Sequence, residues 1–173
     1  MLFRSLGPAL RPPHQAINVA RRLTMKAAAR LRRMGYTATA FGFSARLEDG
    51  RKLRAESHCH AAQDSPAFLS ILLNIWSNII PHGPGIAVKK ISVALWGLEP
   101  ENSAQLLLFD DREAEARPER PMRSMQISRA LDRLNRRFGR DTVLIGMMPS
   151  AGKGFSGSKI AFTRIPDREE FLE

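Results

Sequence analysis

The chain has 173 residues, a net charge of +10 and a sequence pI near 10.9. Its hydrophobic fraction of 43% is ordinary for a globular protein, and no apolar run is long enough to cross a bilayer. The single cysteine excludes an intramolecular disulfide and fits a reducing, cytoplasmic compartment. The positive charge favours a polyanionic partner, and nucleic acid is the leading candidate.

The charges are unevenly distributed along the chain. No Asp or Glu precedes Glu48, whereas acidic residues cluster from Glu99 to Glu119. This distribution predicts a basic body that carries a locally acidic connector. We therefore expect three regions: a DNA-binding domain at 1–98, an acidic connector at 99–121 and a basic C-terminal helix and tail at 122–173.

The N-terminal part is predicted to form a short strand and then a helix. Residues 3–10 are compatible with a strand that ends before Pro12 and Pro13, and the helix is predicted from Gln15 to Met34 with Gly35 as its cap. The basic side chains of this helix have no acidic neighbour in the sequence, so a solvated face and a phosphate-facing role are equally supported. The predicted apolar stripe comprises Ala20, Leu23, Ala27, Leu31 and Met34.

A β-hairpin is predicted next. Residues 36–47 alternate as a strand, the segment Glu48-Asp49-Gly50 is a strong turn signal, and residues 51–60 return as the second strand. A helix capped by Asp64 follows, with Phe68, Ile71, Leu72, Ile75 and Ile79 on its buried face. Another strand is predicted over 86–98.

This order of strand, helix, strand, strand, helix and strand predicts an α+β fold. We expect a β-α-β-β-α-β arrangement in which one antiparallel four-stranded sheet is backed by two helices. A third, strongly basic helix is predicted over 124–138, with Ile127, Leu131, Leu134 and Phe138 as its apolar stripe. Short strands are predicted at 142–147 and 159–164.

The outer face of the predicted sheet is the expected DNA-binding surface, because the inner face must pack on the helices. Gly42 and Ser44 are small positions at which a bulky ligand backbone is expected to approach closely. Contacts to phosphate carry no sequence information, so binding is expected to be nonspecific and salt-dependent. The expected contacts are Arg46, Lys52, Arg54 and Lys90. The alternative surface lies on the basic helices, at Arg21, Arg22, Arg136 and Arg137.

An unusual apolar run, from Ala104 to Phe109, lies within the acidic connector. It is compatible with a buried strand, because a short apolar run cannot be assigned by periodicity alone. It also resembles the short peptide by which bacterial DNA polymerases and repair proteins bind the sliding clamp. Under that interpretation Leu108 and Phe109 fill an apolar pocket, Gln105 fixes the register, and Leu106 belongs to the same motif.

Two other motifs carry little weight. On a strand, His58 and His60 face away from Cys59, so a metal site is not expected there. The segment from Gly152 to Lys159 lacks the Gly-Lys-Ser/Thr ending of a phosphate loop. No cofactor and no metal is therefore expected.

Taken together, these motifs resemble the little finger domain of Y-family translesion DNA polymerases, followed by the clamp-binding tail of that family. The resemblance spans nearly the whole chain, and the order of the motifs is more specific than any one of them. The segments that carry it are 19–23, 28–33, 47–51, 91–100, 105–109, 130–140 and 159–167.

The resemblance implies a module that holds primer–template DNA through backbone contacts and joins the sliding clamp during DNA repair. No segment of the sequence resembles the catalytic palm of the family. Nucleotidyl transfer needs carboxylates that hold two metal ions, and residues 1–47 contain no Asp or Glu that could supply them. A non-catalytic, nucleoid-associated module of a bacterial cell is therefore expected. Two alternatives are a little-finger subunit that works with a separate polymerase core chain, and an organelle-targeted basic protein whose Arg-rich N-terminus is removed.

Overall fold

A computed structural model describes residues 1–81, 83–101, 119–139 and 141–146, with only the backbone described for 119–122. Within these ranges, no helix combines the length and the apolar character that a membrane span requires. The elements are β1 (Leu2–Ser5), a 3₁₀ turn (Pro8–Leu10), α1 (Pro13–Arg33), β2 (Tyr36–Leu47), β3 (Lys52–Ala62), α2 (Ser65–Ile79), β4 (Val88–Pro100) and α3 (Glu119–Phe138).

The four strands form one antiparallel sheet in the order β1-β4-β2-β3. The helices α1 and α2 pack together on one face of this sheet, and the buried core lies between the two layers. The predicted α+β fold with its β-α-β-β-α-β order is confirmed.

The predicted hairpin is also confirmed. The turn between β2 and β3 is closed by Asp49, whose carboxylate accepts hydrogen bonds from the backbone N–H of Arg51 at 2.9 Å and from its Nε at 2.7 Å. The Arg51 backbone N–H is the largest cause that lowers the pKa of this carboxyl group below its ordinary value. Burial alternates along β3 as expected, with the odd-numbered residues from Leu53 to Cys59 turned inward.

Two N-terminal details differ from the expectation. The strand ends at Ser5 because the chain then enters a 3₁₀ turn that contains Pro8. The predicted stripe of α1 is too narrow, because the helix packs against both the sheet and α2 and so buries a wider arc. Met34 is exposed and Ala27 is only partly buried. The buried residues are Ala16, Val19, Ala20, Leu23, Thr24, Met25, Ala28 and Leu31.

Helix α2 begins as predicted. The Asp64 side chain accepts a hydrogen bond from the Ala67 backbone N–H at 3.1 Å, and Pro66 lies in the first turn. Phe68 is fully buried and stacks on Phe41 of β2 with ring centroids 6.1 Å apart. The predicted buried face is partly wrong, since Leu69 is buried whereas Ile71 and Ile79 are only half-buried.

Helix α3 packs on the domain with a different face from the one predicted. Ile127 is 53% exposed and Phe138 is 61% exposed, and Leu134 also points to solvent. Among the described side chains of α3 the buried one is Ser128, whose hydroxyl accepts a hydrogen bond from the Ser65 backbone N–H at 3.0 Å. The face is chosen by polar contacts at the start of α2, which hydrophobic periodicity does not record.

The main polar contact between α1 and α3 is a bidentate ion pair. Arg32 donates from Nε to Asp132 Oδ2 at 2.7 Å and from Nη2 to Oδ1 at 2.8 Å. The same guanidinium also donates to the Gln63 carbonyl oxygen and to Ser65 Oγ. The Arg32 side chain is only 6% exposed, so this pair joins α3 to the core domain.

The segment that follows α3 is not the predicted strand over 142–146; it forms turns and bends there. Asn135 holds this segment by accepting from the Val143 backbone N–H at 2.8 Å and donating to the Val143 carbonyl oxygen at 3.0 Å. The predicted strand at 159–164 lies outside the described residues.

Candidate nucleic-acid interface

The outer face of the sheet carries a row of three cations. In the antiparallel register, Arg46 of β2 lies opposite Lys52 of β3 on one side and opposite Lys90 of β4 on the other. All three side chains are exposed. Neighbouring strands are about 4.8 Å apart, so the row extends across about 10 Å of the sheet. The register therefore brings together three expected contacts that are far apart in sequence.

Arg54 lies one step along the sheet from this row. It pairs in register with Ser44, which in turn lies opposite Ser92. A shallow pocket of about 150 Å³ opens here, and Arg54, Ser44 and Ser92 are among its lining residues. Within the described part of the chain, Arg54 and the three cations of the row form no ion pair with a carboxylate, so their charge is available to a ligand.

The expected close approach at Gly42 needs a correction. A Cβ atom at this position would overlap the Cη2 and Cζ3 atoms of the Trp96 ring. Gly42 is buried, because the indole ring of Trp96 lies against its backbone. This position therefore offers no open space to a ligand. Ser44 stays partly exposed beside it. Trp96 thus forms part of the outer face, next to Glu56, which pairs with Gly42 in register.

Strand β1 also contributes to the outer face, which the sequence alone does not predict. Phe3 lies opposite Ser92 in register, and the Lys90 Nζ lies 4.4 Å from the centroid of the Phe3 ring. This cation–π contact orients the Lys90 side chain on the outer face. In the sequence, Phe3 is an aromatic residue at an alternating position of a short strand. This pattern does not indicate which strand β1 pairs with, so the contact with Lys90 cannot be predicted from it.

On the alternative DNA surface of the basic helices, two arginines of α1 form contacts within the protein. Arg22 forms an ion pair with Asp141, and Arg21 donates to the Gly146 carbonyl oxygen. These arginines of α1 have partners more than a hundred residues away in sequence, so no local sequence pattern indicates them. Arg136 and Arg137 are exposed on α3.

The other candidate residues can be placed briefly. The clamp-binding candidates Gln105, Leu106, Leu108 and Phe109 lie outside the described residues. His58 and His60 are exposed on the outer face of β3, opposite to the half-buried Cys59. Among the described residues, no group of three or more His, Cys, Asp or Glu side chains is close enough to hold a metal ion.

An antiparallel sheet that is backed by two helices on one face and carries exposed cations on the other defines an α+β domain. Residues 3–108, more than half of the chain, match the impB/mucB/samB family C-terminal domain, which is the little finger domain of Y-family DNA polymerases. The chain belongs to this family. No curated protein matches it.

Proposed function

We propose that the protein is a non-catalytic DNA-binding module that holds the backbone of primer–template or damaged DNA and is recruited to the sliding clamp in DNA repair. Residues 1–98 bind DNA, residues 99–121 carry the clamp peptide, and residues 122–173 form the basic C-terminal region. The observation that carries the proposal is the cation row of Arg46, Lys52 and Lys90 on the open face of a little finger sheet.

The physical argument for DNA binding is electrostatic. The row and Arg54 have no acidic partner among the described residues, and they lie on a face that the helices leave uncovered. Side chains of this kind bind phosphate oxygens without reading the bases, so affinity for different duplex sequences should be similar.

A salt titration tests the proposed surface. Each phosphate contact contributes about 0.9 to the slope of log affinity against log salt on duplex DNA, so replacing Arg46, Lys52 and Lys90 by Ala should lower the slope by up to about 2.7. A control variant with Arg129, Arg133 and Arg137 replaced by Ala removes the same charge from α3. If the control lowers the slope and the row variant does not, the DNA site lies on the helices.

Clamp binding is the finer part of the proposal, and it is supported by the pattern Gln-Leu-x-Leu-Phe at Gln105–Phe109. Replacing Leu108 and Phe109 by Ala should weaken binding to a bacterial sliding clamp by at least about 2 kcal/mol, because both are proposed as buried anchors. The matched control is Leu107→Ala, which removes an apolar side chain from the variable position of the motif. Equal binding by the double variant and the parent would disprove the assignment.

The absence of catalysis is a separate element of the proposal. Nucleotidyl transfer requires carboxylates that hold two metal ions, and the match covers the family's C-terminal domain. The protein alone, with primer–template, nucleotides and Mg²⁺, should not extend the primer. Extension that co-purifies with the protein would contradict this proposal, and extension only after a separate polymerase core is added would favour the split-enzyme alternative.

A further inference from the structure

The outer face of the sheet carries an aromatic residue, Trp96, beside the proposed phosphate contacts. The Cη2 and Cζ3 atoms of its indole lie against the backbone of Gly42, which fixes the ring on the sheet. Trp96 is only half-buried, and it lines the shallow pocket of about 150 Å³ on this face. A ligand that enters the pocket therefore meets an aromatic residue that the fold already holds in place.

The size and position of the pocket indicate what part of a ligand it can hold. Sites for whole small molecules occupy about 300–1,000 Å³, so this pocket suits one planar group of a larger ligand. Arg46 of the cation row lies four residues from Gly42 on β2, or about 13 Å at about 3.3 Å per residue. A long ligand that is held by the cation row can therefore also reach Trp96.

Two charged residues of opposite sign, Arg54 and Glu56, line the same pocket as Trp96. Both are exposed, and neither forms an ion pair with any residue in the described ranges. A guanidinium can donate two parallel hydrogen bonds to phosphate oxygens, and a carboxylate can accept a hydrogen bond from the exocyclic amino group of a base. An aromatic ring stacks on the face of any base. The pocket thus offers partners to a base and to the phosphate next to it.

We propose that this pocket binds one unpaired base, which stacks on Trp96 while Arg54 holds the adjoining phosphate. The inference rests on the proposed function and deepens it, because it names the substrate class: a duplex, held by the cation row, that adjoins an unpaired nucleotide. A fully paired duplex presents its phosphates to the row but keeps its bases stacked inside the helix, so it leaves Trp96 without a partner.

The experiment measures the affinity of the full chain for three labelled duplexes by fluorescence anisotropy. One carries a single bulged deoxycytidine, the second carries an abasic analogue at the same bulge, and the third is fully paired. The first two contain the same number of phosphates, so the ratio of their affinities isolates the contribution of the base. The parent should bind the bulged base about fivefold or more tighter than the abasic bulge, which is the factor that stacking on one aromatic side chain supplies.

Variants of Trp96 show whether this residue is the one that binds the base. Trp96→Leu should bring the affinity ratio close to one, whereas Trp96→Phe should keep most of it, because an aromatic ring remains. The matched control is Phe138→Leu, which removes an exposed aromatic ring from α3 and should keep the parental ratio. Trp76→Phe leaves Trp96 as the only tryptophan, and its fluorescence should be quenched more by the bulged base than by the abasic bulge.

The base site is overturned if the parent binds the bulged and abasic duplexes equally, or if Trp96→Leu keeps the parental ratio. Should Trp96→Leu fail to fold, equal quenching by the two duplexes in Trp76→Phe overturns it. Salt-dependent binding of the paired duplex together with a ratio of one removes only this inference and leaves the proposed function standing. A Trp96-dependent preference for the bulged base without binding of the paired duplex supports the base site and contradicts the proposed duplex contact.

Discussion

At the scale of single residues, the contact between Gly42 and Trp96 shows how the outer face is shaped. The glycine has no side chain, so the indole of the neighbouring strand lies directly over its backbone. The ring thus provides a flat apolar surface beside Ser44 and Arg54, at the margin of the proposed phosphate contacts. The space that the sequence predicts for a ligand at Gly42 is filled by the Trp96 side chain.

Replacing Gly42 by Ala should displace the Trp96 ring and lower the free energy of unfolding by about 1–3 kcal/mol, as overpacking does. Gly7→Ala is the control, because a Cβ atom there meets nothing within 4 Å and the backbone φ of −65° suits alanine. Urea denaturation measures the free energy of unfolding of both variants. On a Trp96→Ala background the cost of Gly42→Ala should fall, and an unchanged cost would show that the ring is not the cause.

Cys59 gives a second prediction at this scale. Burial, and secondly the charge of Asp64, raise the pKa of its thiol above the ordinary value. The unfolded chain therefore loses the thiol proton at a lower pH than the folded protein does. The contribution of Cys59 to the free energy of unfolding is complete below the unfolded pKa and is lost as the pH rises through the folded pKa.

The measurement is the rate of alkylation by iodoacetamide across the alkaline range. The midpoint of the pH profile should be higher in the native protein than in concentrated urea, because the thiolate is the reactive form. Asp64→Asn, which keeps a capping side chain, should lower the native midpoint slightly. A native midpoint at or below the value in urea would contradict the assigned effect of burial.

At the scale of elements, α3 is held to the domain by polar contacts instead of an apolar stripe. The bidentate pair of Arg32 and Asp132 and the bond from the Ser65 N–H to Ser128 Oγ lie on its inner face. Ser124 adds a hydrogen bond from its hydroxyl to Asp64, the residue that caps α2. The cap of one helix thereby also fixes the position of another.

Replacing Asp132 by Ala should lower the free energy of unfolding by about 2–3 kcal/mol, because Arg32 would stay buried without its carboxylate. The value is below that of a fully buried pair, since the Asp132 side chain is 25% exposed. The control is Glu101→Ala, which removes an equally short but exposed pair with Arg129 and should cost at most about 1 kcal/mol. Equal costs in urea denaturation would mean that the Arg32 pair does not hold α3.

At the scale of the whole molecule, one core connects the sheet to both helices that cover it. Phe68 of α2 and Phe41 of β2 are both fully buried and stack at its centre. The cation row depends on this core, because the core fixes the sheet that carries the row.

Phe68→Ala should therefore lower the free energy of unfolding by about 3–5 kcal/mol, through lost burial and the cavity that remains. Leu73→Ala on the same helix is the control and should change it by no more than about 0.5 kcal/mol, since Leu73 is 41% exposed. Thermal unfolding followed by circular dichroism measures both variants. A loss of structure confined to α2 in Phe68→Ala would contradict a single core.

The sequence by itself determined the order and type of the main elements, because these depend on local chemistry. Alternation along β2 and β3, the Asp49-Gly50 turn and the Asp64 cap are all encoded within a few residues. The cations of the outer face were also predictable, since their positions follow from which face of the sheet must be buried.

Only the tertiary structure decided which distant residues meet. The register of three strands aligned Arg46 with Lys52 and Lys90, and strand packing placed Trp96 over Gly42. The docking face of α3 was chosen by Asp132 and by small polar residues, which have no hydrophobic period to detect. Arginines of α1 that looked unpaired in sequence gained partners more than a hundred residues away, because ion pairs form in space and leave no local pattern.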